Sequence, residues 1–103
     1  MARRRRRVVW TDQALQMVDE VLDYIAMDSP EGARSVLDQT LAAASSLATL
    51  AARGRVVPEV DDPAVREVFV FNYRLIYEVA PSEVRILTFV HGARDFTKWR
   101  TRE

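Results

Sequence analysis

The spacing of apolar residues changes once along this chain, from a helical period to a period of two, and nothing else in the sequence constrains the fold as much. Leu15, Val18, Val21, Leu22 and Ile25 recur at three- and four-residue intervals, which gathers them on one helix face. Asp19, Glu20 and Asp23 take the other side. Thr11 or Asp12 is a suitable N-cap, and the spacing predicts a helix over residues 12–27. "DSPEGA" then ends that helix and starts another: Ser29 caps, Pro30 occupies the first helical position, and Glu31 complements the positive end of the dipole. Val36, Leu37, Leu41, Ala44, Leu47, Ala48 and Ala51 form the second apolar face. The small residues at 42–44 permit close approach of the two helices. This helix is predicted to end near Arg53, with Gly54 as a left-handed cap. The short connection makes the pair an antiparallel hairpin.

After "RVVPEVDDP", read as a loop with two prolines, the period becomes two. "VREVFVF" (65–71), "YRLIYEV" (73–79) and "EVRILTFVH" (83–91) read as strands, with "FNY" and "APSE" as turns. Three strands joined by short turns make an antiparallel meander. "RRVVW" (6–10) is a β-prone run that the long helical crossover allows to return parallel beside the last strand. The expected fold is α+β and two-layered, in the order β-α-α-β-β-β. A helical hairpin packs on a mainly antiparallel four-stranded sheet. One domain spans 1–103, with a basic arm at 1–5 and a polar tail at 97–103 in which Trp99 stands.

Composition removes several classes of function. There is no cysteine and one histidine, so thiol catalysis, disulfides and a transition-metal site are not expected, and no cofactor motif is found. No apolar run approaches the roughly 18 residues of a membrane span. "MARRRRRVVW" lacks the apolar stretch of a signal peptide, so the start is read as part of the mature protein. A cytoplasmic location fits these features. Fifteen basic and fifteen acidic residues balance, but five of the basic ones are the arginines at 3–7. Only Lys98 is a lysine. Arginine supplies the planar donor fork that suits phosphate and carboxylate, although GC-rich coding gives the same bias.

The residues that could carry chemistry cluster late. On "YRLIYEV", Tyr73, Leu75, Tyr77 and Val79 share one face and Arg74, Ile76 and Glu78 the other. The apolar face should meet the helices, leaving Arg74 on an open face, either paired with a carboxylate such as Glu67 or Glu78 or available to an anion. In "VRILTFVH", Arg85, Leu87, Phe89 and His91 fall on one side, and Val84, Ile86, Thr88 and Val90 on the other. His91 is either a histidine bonded to a loop carbonyl or a group titrating near neutral pH at a sheet end. Glu59 lies in a loop restrained by Pro58. Glu59, Arg66, Arg74, His91 and Arg94 have one shared use that needs no metal. RNA scission requires a base for the 2′-hydroxyl, cations for the phosphorane and an acid for the leaving oxygen.

"WTDQALQMVDEVLDYIAMDSPEGA", "GRVVPEVDDPAVREVFVFNYRLIYEV" and "VRILTFVHGARDF" together resemble the RelE/ParE superfamily of toxins from bacterial toxin–antitoxin pairs, over about residues 5–96. The resemblance implies a small cytoplasmic toxin that arrests growth and is held inactive by a neighbouring antitoxin in a hetero-oligomer. RelE-like members cut messenger RNA on the translating ribosome; ParE-like members poison DNA gyrase, and the fold alone does not choose between them. For a RelE-like activity the resemblance assigns catalytic roles to Glu59, Arg74, His91 and Arg94. Arg55, Arg66, Arg74 and Arg94 would contact phosphate or the target. Several ribonuclease members place a catalytic tyrosine or histidine near the C-terminus. Here no tyrosine follows Tyr77, and Phe96 and Trp99 cannot transfer a proton. That absence and the long helical hairpin incline the resemblance towards ParE-like members. A third possibility is a nontoxic member retained for partner binding. The antitoxin is expected on the exposed part of the hairpin and the open sheet face. The five-arginine start departs from the family pattern. It reads either as a charged edge or as a nonspecific attraction to nucleic acid.

Overall fold

The helical-to-alternating change at mid-chain is the boundary between two layers. The structure, a computed structural model, describes residues 4–93. Strand β1 (Arg7–Trp10) leads into α1 (Asp12–Ala26) and α2 (Pro30–Ser46). A short 3-10 turn (Ala51–Arg53) follows, and then β2 (Arg55–Val56), β3 (Val65–Val70), β4 (Tyr73–Val79) and β5 (Glu83–His91). The sheet order is β1-β5-β4-β3-β2. β1 runs parallel to β5, as the long crossover allows, and the other neighbours are antiparallel. Both helices lie on one sheet face, α1 over β5 and α2 over β3.

The sheet therefore has five strands rather than four. The extra one, β2, lies inside the stretch read as a loop. It is only two residues long, too short for alternation to register, and it exists because Arg55 and Val56 pair with Glu67 and Arg66. α2 also stops at Ser46, well before Arg53. There the chain turns to bring Leu47 and Ala48 under β1, where the Ala48 carbonyl accepts from the Arg6 amide at 2.7 Å. Gly54 is not a left-handed cap: its φ is −78° and its ψ 160°. Its role is close approach, since a Cβ there would lie 2.5 Å from both the Glu67 carbonyl oxygen and the Tyr77 hydroxyl.

The helix starts follow the sequence. The Thr11 hydroxyl accepts from the Ala14 amide, and the Ser29 hydroxyl accepts from the Gly32 amide at 2.9 Å. Each side-chain oxygen satisfies an amide that has no partner within the helix. Ser29→Ala should lower stability by about 1 kcal/mol, measured as a denaturant midpoint that falls while the slope of the transition is unchanged. The helix faces are rotated slightly from their predicted positions. Ala14 and Val18 are buried with Met17, Val21, Leu22 and Ile25 packed around them, whereas Leu15 is 51% exposed. On α2, Thr40 is buried with its hydroxyl donating to the Val36 carbonyl, and Leu41 points outward.

A bulge in β5 corrects the assignment of its faces. Tyr77 pairs with Ile86 and Ile76 with Thr88, so Leu87 has no opposite residue. One extra residue reverses the alternation beyond it. Val84 and Ile86 thus share the helix-facing side with Phe89, which explains why both predicted sides of this strand read as apolar. Thr11 holds the bulge to α1: its hydroxyl donates to the Ile86 carbonyl at 2.7 Å and lies 3.2 Å from that of Leu87.

The sheet face away from the helices is not open. Val57 and Val60 fold across it and pack with Val65, Ile76, Val90 and Leu87 as a second apolar cluster. The segment is held there by the Val57 amide to the Val65 carbonyl, and it turns back through the Val60 and Asp61 amides to the Val57 carbonyl. Asp61 takes the left-handed conformation this reversal requires, with φ 54°, which aspartate tolerates better than most residues.

Candidate functional site

Arg74 lies on this covered face, and the turn that covers it carries Glu59. Because β3 and β4 pair Glu67 with Ile76 and Phe69 with Arg74, residues 67, 69, 74 and 76 project to the same side. Arg74 is 2% exposed. Its Nε donates to Glu67 Oε1 at 2.6 Å, and its Nη1 and Nη2 donate to the two oxygens of Glu59 at 2.8 and 2.7 Å. The other oxygen of Glu67 accepts from Arg55 Nε at 2.5 Å. Arg55 is mostly exposed, and its guanidinium carbon stands 5.3 Å from the centre of the Phe69 ring, a distance at which a cation is attracted to the aromatic face.

Among the described residues the result is a chain of four alternating charges, Arg55–Glu67–Arg74–Glu59. The paired oxygens of Glu59 match the guanidinium fork, the strongest geometry for such a pair. Hydrogen bonding to Glu59 is the chief cause holding the Arg74 guanidinium above its ordinary pKa. Burial opposes this, and Glu67 reinforces it. A phosphate oxygen that reaches Arg74 must displace a carboxylate, and Glu59 is more exposed than Glu67.

Of the two states expected for Arg74, the structure has the paired one, but buried rather than solvated. The partners are Glu67 and the loop residue Glu59, not Glu78, which bonds Arg85. The other expected site residues do not join them. His91 pairs with Tyr73 and so points to the helix-side face, opposite to Arg74. It is exposed, packs edge-on to Tyr73 with ring centres 5.8 Å apart, and accepts a hydrogen bond at Nδ1 from the Ala93 amide rather than donating to a loop carbonyl. Arg66 also lies on the helix side, where it donates to the carbonyls of Pro63 and Gly54. Arg94, Phe96 and Trp99 lie outside the described residues. The constellation expected for RNA scission is therefore split: Glu59 and Arg74 meet, and His91 and Arg66 face away from them. No group of three or more metal-ligating side chains occurs among the described residues.

Glu67 is the member that the sequence reading undervalued. It is 1% exposed and bridges two arginines. The available signal was a carboxylate on the same strand face as Val65, diagonal across the β3–β4 pair from the arginine of the next strand. Its significance depends on register, which the turn "FN" sets. Phe71 occupies that turn at φ 53°.

The same sequence is matched over residues 8–96 by the profile of the ParE toxin of the type II toxin–antitoxin system parDE. A curated relative, Toxin RelE2 of Caulobacter vibrioides, is 36% identical over 89 residues, covering 85% of this chain and 97% of the relative. Among solved structures, the chromosomal ParDE TA system from P. aeruginosa superposes with a TM-score of 0.69 at 22% identity. That match covers 85% of this chain and 97% of the other, and it supports the fold. The helical hairpin, the meander and the matched profile agree, and the chain belongs to the ParE toxin family of type II toxin–antitoxin systems, within the RelE/ParE superfamily.

Proposed function

We propose that this toxin acts by binding DNA gyrase, as ParE-like members do, and that a cognate antitoxin neutralises it in a cytoplasmic hetero-oligomer. The observation that carries the reading is the state of Arg74. All three nitrogens of its guanidinium engage carboxylates, so the group that would hold RNA phosphate in a ribonuclease is instead an internal strut. His91 on the opposite sheet face supports the same reading, because it stands away from the Glu59–Arg74 pair. The antitoxin surface is supported by large apolar side chains exposed on the hairpin: Leu15, Tyr24, Met27 and Leu41. An amphipathic segment that buries these would recover apolar area.

A second reading, ribosome-dependent messenger RNA cleavage, is favoured by one contact. Glu59, a possible base, sits directly against Arg74, a possible phosphate ligand, and is partly exposed.

Purified toxin added to gyrase should block supercoiling, and the product of the adjacent reading frame should restore it. Messenger RNA on translating ribosomes should stay intact in the same preparation. Normal supercoiling together with cut messenger would establish the ribonuclease instead. Normal supercoiling with intact messenger and no growth arrest would leave only a partner-binding role.

A further inference from the structure

The arginine run at the start of the chain is not absorbed by either reading of the toxin. We infer that it forms a binding site for the phosphate backbone of duplex nucleic acid, independent of the Arg74 network and of which target the toxin attacks.

The structure turns the run into a shaped site. Arg5, Arg6 and Arg7 line one open cleft of about 600 Å³ together with Ser45, Ala48 and Ser82. The arm is anchored at three points: the Arg6 amide donates to the Ala48 carbonyl, the Arg7 amide to the Ser82 carbonyl, and Arg6 Nε to the Ala80 carbonyl at 2.9 Å. The charges are thus fixed over the junction of the α2 end and the β4–β5 turn. The charged and hydroxyl residues that line the cleft are Arg5, Arg6, Arg7, Ser45 and Ser82, with Arg7 also bonded to Glu83, a set that suits an anion.

The charge balance points the same way. Arg7 bonds Glu83, and Arg85 bonds Glu83 and Glu78. Among the described residues no carboxylate pairs with Arg4, Arg5 or Arg6. The acidic groups of the hairpin are instead on α1 (Asp12, Asp19, Glu20, Asp23), the connection (Asp28) and the first half of α2 (Glu31, Asp38). A protein with no net charge therefore carries a local cationic site, which orients it in the field of a polyanion.

A polyanion suits the cleft better than a single phosphate, because several guanidiniums together neutralise several phosphates and release the counterions condensed on them. Among the described residues no aromatic side chain lines the cleft, so they offer no platform for stacking unpaired bases. Duplex backbone, read by charge and without sequence preference, is the form that fits. A membrane surface fits less well: Leu15, Tyr24, Met27 and Leu41 are exposed on the hairpin, Phe69 and Phe71 at the end of β3 and its turn, and Leu50 beyond α2, but none of them lines the cleft.

The test is fluorescence anisotropy of a labelled 20-base-pair duplex of arbitrary sequence, titrated with the full chain at several salt concentrations. The logarithm of affinity should fall with the logarithm of salt with a slope of about −2 to −3, about 0.9 for each phosphate neutralised. Arg5→Gln should reduce the slope by about 1. The Arg4→Gln/Arg5→Gln pair should weaken binding at least about tenfold at low salt, while the circular dichroism melt stays that of the parent. Arg34→Gln, an exposed arginine on α2, should leave affinity and slope nearly unchanged. A salt-independent affinity, or an equal loss with Arg34→Gln, would overturn the site. So would pyrophosphate binding as tightly as duplex, or phosphatidylserine vesicles binding where duplex does not.

Discussion

Glu67→Gln should lower the stability of the fold by about 3 kcal/mol, the low end of the range for breaking a buried ion pair. The change keeps the shape of the side chain and removes its charge. Arg74 then remains 2% exposed and bonded to Glu59, and the glutamine amide presents one acceptor where two arginines had donated. The bidentate bond to Glu59 limits the loss. For a chain of this size the melting temperature should fall by roughly 12 °C or more. Arg74→Met combined with Glu67→Gln should recover much of that loss, because an apolar side chain of similar length removes the need for the charge. If the double variant were less stable than Glu67→Gln alone, the network would be favourable in its own right and not a pair of mutually dependent buried charges. The same set of proteins separates structure from chemistry. Glu59 is partly exposed, so Glu59→Gln should cost less stability than Glu67→Gln. On the gyrase reading, supercoiling inhibition by the folded fraction of Glu59→Gln should match that of the parent.

Tyr77→Phe should cost about 2–3 kcal/mol, from one oxygen atom. The Tyr77 hydroxyl donates to the Ala51 carbonyl at 2.7 Å and accepts from the Gly54 amide at 3.0 Å, in a part of the core with no exposure. Its removal leaves a buried donor and a buried acceptor without each other or water. It also releases the turn that brings β2 onto the sheet edge. Burial raises the pKa of the phenol, against smaller opposing effects of the Gly54 hydrogen bond and of Arg66 and Arg53. The folded protein therefore holds this proton more tightly than the unfolded chain does. The associated stability is complete below the unfolded value, about 10, and is lost as pH rises above it. The parent should lose stability more steeply than Tyr77→Phe above about pH 10, so the difference between them should narrow in denaturant titrations there. Parallel curves across that range would show that the hydroxyl does not titrate with unfolding.

The resemblance quoted from "GRVVPE", "YRLIYEV" and "HGARD" identified the family, and the matching profile agrees. What those segments do with their charged residues was not legible in the same way. Arg74 read as a strand arginine on an open face, and Glu59 as a loop carboxylate. Neither reading used the fact that Val57 and Val60 are apolar and must themselves be buried. Covering the sheet with that segment is what carries Glu59 to Arg74. Likewise one unpaired residue, Leu87, puts Ile86 and Phe89 on the same side where alternation had put them on opposite ones, since alternation counts residues and a bulge adds one.

By itself the sequence determined the longer elements and their order, though not β2 or the end of α2, because periodicity, the caps at Thr11 and Ser29 and the turn residues act over only a few positions. It also determined the parallel return of β1, because the crossover is long enough to allow it. The tertiary structure decided which charges meet. Glu67 and Arg74 are seven residues apart and Glu59 and Arg74 fifteen, and their encounter depends on strand register and on a covering turn. The low exposure created by that packing then makes carboxylate partners for Arg74 obligatory, because an unpaired charge there would lose its hydration without compensation. The anchored arginine arm follows the same rule: the composition supplied the charge, and the contacts of Arg6 with Ala48 and Ala80 gave it a shape.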